Sequence, residues 1–569
     1  MTTAPPADYP TRIDDQMSAF PVISPLGIRS RLLAWPVGRH PDAVIVGLVG
    51  FLLSVAASWR ASVWFDEAAT ISAATRSWPE LMRMLGNVDA VHGLYYAGMH
   101  LWLDLVGYSP FTLRLPSAVA TGITAALIVL LMRSLGPRPT AILSGLAFCL
   151  LPRVTWMGAE GRSYALTTTL AVALTLVFLA AWRRGGATRA VRARWWMLYG
   201  LLAVVVTSCF LYLALLVVAH GITAAWTHWS AHRSAATAAS LGGWLLASMA
   251  AGAALIPFAI DVADQSGQVS WIGPVGRHTL HGVFVTQWFY KNPAFAATAW
   301  ALIAVGLAVL ARRGRRQADA LPARVPSVVP SANRPAHPSL ASIVLPWLVV
   351  PTVGIILASI VVSPLYSPRY LTYSAPAAAI LIGVAVSALR SRSLVVVAMA
   401  GLVVLAAPQY LAQRMPEAKQ QSSWGEVAAL VSAQRALEPA DTHLANTARA
   451  NTAEANTHEA NTAEAIIYGP VRQHPAATTR VIAYAYPEAF SGLTDVKLAI
   501  PAAETGRLWE TRYPLDQVTG RLEGADVVWL VTSTKQDWRP SVTRHLAALG
   551  YGVDAEWSLT GVNVLRYER

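Results

Sequence analysis

Two adjacent carboxylates, Asp66 and Glu67, follow Trp64 and Phe65 directly after the first long apolar stretch of this 569-residue chain. Carboxylates beside a bilayer are costly to keep dry and suited to taking a proton from a hydroxyl. The plainer alternative is that acids after a span simply prefer water. Three further patterns add cations and aromatics. One runs His92-Gly93-Leu94-Tyr95-Tyr96 through Leu101-Trp102 to Leu113-Arg114-Leu115-Pro116. The second is Glu160-Gly161-Arg162-Ser163-Tyr164-Ala165-Leu166, and the third is Ser367-Pro368-Arg369-Tyr370-Leu371 with Pro376 following.

The elements that must position these groups are membrane spans. The chain is 54% hydrophobic and 13% charged with mean hydropathy +0.43, against about 25% charged for soluble domains. Eleven apolar windows near the length needed to cross a bilayer fall at 42–58, 113–132, 139–152, 163–182, 196–211, 212–226, 241–260, 293–311, 341–363, 371–389 and 393–411. With the N-terminus inside, the segments on that side hold 20 Lys and Arg and the opposite loops 8, which fits the positive-inside rule. The net charge of +13 therefore reports orientation and argues against a nucleic-acid partner. Cys149 and Cys209 lie in apolar stretches without metal or disulfide spacing.

The expected architecture is a polytopic α-helical membrane protein of about 11 spans with a C-terminal extracytoplasmic α/β domain. Residues 1–41 read as a polar, Pro-rich cytoplasmic leader. Residues 42–411 form the membrane domain, with a first outside loop at 59–112 and a flexible, basic cytoplasmic linker at 312–340. Within 412–569, Ala465–Tyr468, Val481–Tyr484, Val527–Thr532 and Val562–Tyr567 read as strands, and Trp424–Ala436 and Val542–Leu549 as helices. A five-residue repeat across 445–465 reads as a low-complexity insertion in a surface loop.

In order and spacing, the four motifs resemble the GT-C superfamily of polyprenyl-phosphate-sugar glycosyltransferases. The likeness is to glycosyltransferase family 39, which includes protein O-mannosyltransferases and lipid A aminoarabinose transferases. It covers roughly residues 42–411. Val91-His92-Gly93-Leu94 departs from it by lacking the prolines that follow the histidine in that family. The resemblance implies a GT-C fold and a plasma-membrane enzyme, with its N-terminus cytoplasmic. The implied partners are a polyprenyl-phosphate sugar, the bilayer and a cell-envelope acceptor (protein, lipoglycan or polysaccharide).

Under this reading Asp66 is the candidate general base and Glu67 orients it or a sugar hydroxyl. Glu67 as nucleophile of a retaining reaction is the alternative to inversion, which the family mechanism implies. Arg162, Arg369 and Lys291 are candidates for the donor phosphate, since guanidinium forks take phosphate oxygens in pairs; the alternative for the arginines is snorkelling towards water, and for Lys291 an ordinary loop charge. His92, Tyr95, Tyr96 and Trp64 are candidates for sugar contact, against a structural histidine and interface-anchoring aromatics. Arg114 reads as a residue that sets the depth of its span. No motif calls for a particular cofactor, and metal dependence is open, with a divalent ion shared by Asp66, Glu67 and His92 as an option. An Ala-, Arg- and Trp-rich composition is similar to that of high-GC actinobacteria, so mannose is the first expectation for the sugar and arabinofuranose the second. A lipid-linked sugar flippase or an envelope scaffold is the rival from another class.

Overall fold

The computed structural model describes residues 40–231, 233–319, 336–420, 422–449, 464–471 and 477–569. The leader (1–39), the Pro-rich part of the 312–340 linker and most of the repeat insertion lie outside the described residues. Each of the eleven apolar windows falls on a helix. Eight helices among the described residues are long and apolar enough to cross a membrane, and the bent pair Ala235–Ala254 and Ile256–Asp264 adds a ninth if it is one span. Pro41–Val55 and Arg138–Leu150 are shorter. The chain is thus a multi-pass helical membrane protein.

Small residues let these helices approach closely, as membrane packing requires. A Cβ on Gly122 would meet the Gly47 carbonyl at 2.8 Å, and one on Gly383 would strike Ser144. The helix spanning Pro368–Ser387 is the most enclosed, with 89% of its apolar window buried, against 11% for Arg392–Ala412. Arg369 therefore stands at one end of the central helix of the bundle.

Between the first two apolar helices lies not an open loop but three helices, Phe65–Ala74, Trp78–Leu85 and Gly93–Val106. The first carries both carboxylates, and each of its faces has a different neighbour. Ala68 and Ala69 enter a core with Val427, Val431, Ile466 and Trp529 of the C-terminal domain. Ile71, Ala73 and Ala74 pack with Tyr95, Tyr96 and Met99. Glu67 and Thr70 face Arg114 and the Gly161 backbone. Trp64, Tyr95 and Tyr96, read as possible interface anchors, are buried inside the protein.

The C-terminal strands are β1 (Glu464–Tyr468), β2 (Thr494–Asp495), β3 (Leu498–Ile500), β4 (Thr511–Arg512), β5 (Val527–Ser533), β6 (Gly552–Leu559) and β7 (Val562–Glu568). Five form a mixed sheet in the order β2-β1-β5-β7-β6, while β3 and β4 pair separately. Side-chain alternation sends Ile466, Trp529, Val531 and Val564 to the face that meets the carboxylate helix. Ile467, Val528, Leu530 and Leu565 go to the other face, under Val542 and Leu546 of the Arg539–Ala547 helix.

Three readings of the sequence need correction. Val481–Tyr484 is not a strand but the start of a helix, Val481–Ala485, because Val481, Ile482 and Ala485 share one buried helical face; packing overrides β-propensity there. The helix from Trp424 continues to Arg449, into the first repeat unit, and the helix from Pro293 continues to Asp319, so the basic linker begins as helix. Strand β6 escaped notice although Val553, Ala555, Trp557 and Leu559 alternate with Asp554, Glu556 and Ser558, the period-two pattern of an edge strand with one face in water.

Candidate active site

A cavity of ≈ 640 Å³ opens where the carboxylate helix, the 158–163 turn, the Pro368–Ser374 segment and the bent-helix region converge. Asp66, His92, Arg162 and Arg369 all line it. Asp66 sits in the first turn of its helix, where the helix dipole favours an anion. Its Oδ2 accepts from Arg369 Nη1 at 2.5 Å. Arg369 also lies over the rings of Trp271 (5.1 Å) and Tyr370 (5.5 Å), so its guanidinium is framed by aromatics and fixed by one carboxylate.

Arg162 is held from several sides. Its Nη1 donates to the Asp66 carbonyl at 3.2 Å and to the Tyr96 hydroxyl at 3.2 Å, and its Nη2 contacts His92 Nε2 at 3.1 Å. A guanidinium has no acceptor, so His92 Nε2 must accept and the ring hydrogen sits on Nδ1. Burial, then the neighbouring Arg162, pushes the His92 pKa well below its ordinary value, keeping the ring neutral. Its Nδ1–H is buried without a protein partner, beside the cavity. Tyr96 donates to Asp89 Oδ2 at 2.8 Å, giving Arg162 a nearby counter-charge.

Glu67 is placed elsewhere. It is 0% exposed and takes both Nε and Nη2 of Arg114, at 2.7 and 2.6 Å, with the Gly161 amide adding a third bond at 2.8 Å. Burial pushes its pKa up, but Arg114 outweighs this and holds it below the usual carboxylate range. Arg114 also donates to the carbonyls of Ser58, Ala61 and Ser62, so it ties the start of the carboxylate segment to the bundle instead of setting span depth. Glu67 thus holds the helix that presents Asp66 and does not reach the cavity. Lys291 is exposed and does not line the cavity either.

Asp66, Glu67 and His92 point to different partners, each being engaged by a different arginine. No group of three or more His, Cys, Asp or Glu side chains converges among the described residues.

Two neighbours were not singled out from the sequence. Glu160 and Lys419 are each 1% exposed, and neither the Glu160 oxygens nor the Lys419 ammonium has a hydrogen-bond partner. The Lys419 ammonium lies over the Trp156 ring at 3.8 Å. Glu160 stood inside a quoted motif, but nothing local pointed to Lys419, which acts on it electrostatically across more than 250 residues of chain. Burial pushes the Lys419 pKa down to about 8 against the opposing pull of Glu160. Burial raises that of Glu160, which Lys419 opposes.

The Lys419 shift has a measurable sign. Because its folded pKa is depressed, the folded protein releases this proton at lower pH than the unfolded chain does. Stability relative to a Lys419→Met variant should therefore rise between pH 8 and 10.5. Thermal unfolding of both proteins across that range tests it, and a parallel pair of curves would refute it.

No family model matches the chain, and no curated protein matches it. Solved structures do. Apo ArnT from Cupriavidus metallidurans aligns with TM-score 0.51 at 13% identity, covering 93% of this chain and 98% of that one. ArnT from the same organism bound to undecaprenyl phosphate gives 0.48 at 16% identity, with the same coverage. The archaeal oligosaccharyltransferase AglB from Archaeoglobus fulgidus, in complex with an inhibitory peptide and a dolichol-phosphate, gives 0.39 at 13% identity over 93% of this chain and 74% of that one. The likeness to apo ArnT, over almost the full length of both chains, shows that this chain shares the fold of that structure.

Proposed function

We propose that the protein is an integral-membrane glycosyltransferase that moves a sugar, mannose first, from a polyprenyl-phosphate donor to a cell-envelope acceptor on the extracytoplasmic side. The N-terminus lies in the cytoplasm and residues 412–569 lie outside, in keeping with the charge bias of the loops. The observation that carries the reading is one cavity whose lining brings two guanidiniums, Arg162 and Arg369, together with the carboxylates Asp66, bonded to Arg369, and Asp89, bonded to Tyr96. Its aliphatic wall includes Val262 and Val362, at the ends of apolar helices, which suits a lipid-linked substrate.

In this reading the donor phosphate sits against Arg162 and Arg369. Asp66 takes the proton from an acceptor hydroxyl, the oxygen attacks the anomeric carbon, and the bond from that carbon to the phosphate oxygen breaks. The electron pair leaves on the phosphate, where fixed guanidiniums stabilise it without reorganising. Displacement from the opposite face inverts the anomeric centre. The burial of Glu67 against Arg114 supports this route over one with Glu67 as nucleophile. The unpartnered His92 Nδ1–H is the group we assign to a sugar oxygen, since a buried donor without a partner costs stability until a ligand supplies one.

The test is transfer of radiolabelled sugar from polyprenyl-phosphate mannose and, separately, polyprenyl-phosphate arabinose in membranes containing the wild type or Asp66→Asn. Transfer from one donor that vanishes in the variant names the sugar. Transport of either lipid without transfer would overturn the reading in favour of a flippase.

The role of Arg162 has its own expected result. Lysine keeps the charge but loses the fork that reaches Asp66, Tyr96 and His92 together. Arg162→Lys should raise donor KM by about tenfold, the loss of one charge-assisted hydrogen bond. A donor titration with unchanged KM would remove Arg162 from phosphate binding.

A further inference from the structure

The bundle alone does not enclose the cavity. Leu508 and Trp509, on the segment entering β4 of the C-terminal domain, form part of its wall. That segment is fixed by hydrogen bonds from the first inter-span region. Arg76 Nη2 donates to the Arg507 carbonyl at 2.5 Å and Ser72 Oγ to the Leu508 carbonyl at 2.6 Å. Arg76 is itself anchored by donating from Nε to the Ser72 carbonyl at 2.8 Å. The Trp509 ring lies 5.0 Å from that of Phe65, the residue before Asp66, and Tyr484 stacks behind it at 6.3 Å. Trp509 is 9% exposed, so it is a fixed wall and not a mobile flap.

The cavity therefore has unlike sides. Its lining combines aliphatic residues near span ends, Asp66 with Arg162 and Arg369, and aromatic rings, of which Trp271 and Tyr370 flank Arg369 while Phe65 and Trp509 form an uncharged wall next to the C-terminal domain. An in-line displacement puts the nucleophile opposite the leaving phosphate and within reach of the base. The acceptor hydroxyl must come within reach of Asp66 to be deprotonated, and the Phe65–Trp509 wall adjoins Asp66 through Phe65.

We infer that Trp509 is a specificity-determining residue through which the C-terminal domain receives the acceptor, and that the acceptor is a carbohydrate, whose C–H surface packs on the Phe65–Trp509 wall. This inference rests on the transferase reading above. Large rigid aromatics supply apolar contact at low entropic cost, which suits a sugar ring whose hydroxyls stay free to meet Asp66.

The experiment uses the full chain in proteoliposomes, with the donor that the wild type accepts. Octyl α-mannoside and a Ser/Thr-rich peptide are the two acceptor probes. Trp509→Leu keeps apolar bulk but loses the ring, and Trp509→Phe keeps a ring. The expected result is transfer to the mannoside, with its KM raised about tenfold in Trp509→Leu and within about threefold of wild type in Trp509→Phe, the scale of one aromatic contact. Donor KM stays unchanged in both, and thermal melting in detergent shows that both variants fold. Transfer to the peptide in preference to the mannoside overturns the inference, as does a Trp509→Leu effect on donor KM alone. An unmoved acceptor KM overturns it while leaving the transferase reading intact. Absence of transfer by the wild type from either donor overturns both.

Discussion

Replacing Asp66 by Asn should lower kcat by about 10³-fold, within the range of a lost general base, with insertion unchanged and a modest drop in thermal melting from the lost Arg369 ion pair. Asparagine matches aspartate in shape, and its carbonyl can still accept from Arg369 Nη1, which now holds Oδ2 at 2.5 Å. It cannot accept the acceptor proton. Because the guanidiniums stay in place, donor KM should move little, and the loss should appear in kcat at saturating donor and acceptor. Asp66→Glu should recover part of the rate, since a base remains but is displaced by one methylene. A variant with kcat within about tenfold of wild type would mean that another group accepts the proton.

The second large effect concerns folding. Arg114 and Glu67 are each 0% exposed and face each other through two hydrogen bonds. Breaking such a pair leaves an uncompensated buried charge, at a cost of about 3–5 kcal/mol. Arg114→Met removes the guanidinium from Glu67 and from the Ser58, Ala61 and Ser62 carbonyls, and it should melt far below the wild type or fail to accumulate. Adding Glu67→Gln to Arg114→Met removes the stranded charge and should return part of that loss. Differential scanning of the two variants against Glu67→Gln alone makes the comparison. If the double variant is no more stable than Arg114→Met, the penalty lies in the stranded carbonyls and not in the carboxylate.

The sequence made the helical architecture legible because a bilayer imposes one simple rule: long apolar windows become helices. Asp66, His92, Arg162 and Arg369 were also legible as candidates, since each stood in a short motif, three of them near a span end and His92 within the first inter-span region. Glu67 was harder to read. Side by side in sequence, two carboxylates look alike, yet successive residues of a helix point about 100° apart, and here one turns to the cavity and its neighbour to Arg114. Tyr95 and Tyr96 looked like interface anchors because amphipathic aromatics settle in the membrane interface or in a core equally well. Lys419 and Trp509 could not be found locally. Each reaches its place through the docking of the C-terminal domain, and no periodicity within a short window records that contact.

The helix that presents Asp66 supplies Ala68 and Ala69 to the core of the C-terminal domain. That domain is therefore not a detachable module in an evolutionary sense. Recombination that replaced residues after 412 with those of a distant relative would leave a mismatched surface against Phe65–Ala74, and the mismatch would fall one helical turn from the Asp66 carboxylate. Inheritance of the C-terminal domain and of this helix should be linked. Chimeras between homologues are expected to work only when the 65–74 segment travels with the domain, even though residues 75–411 separate the two.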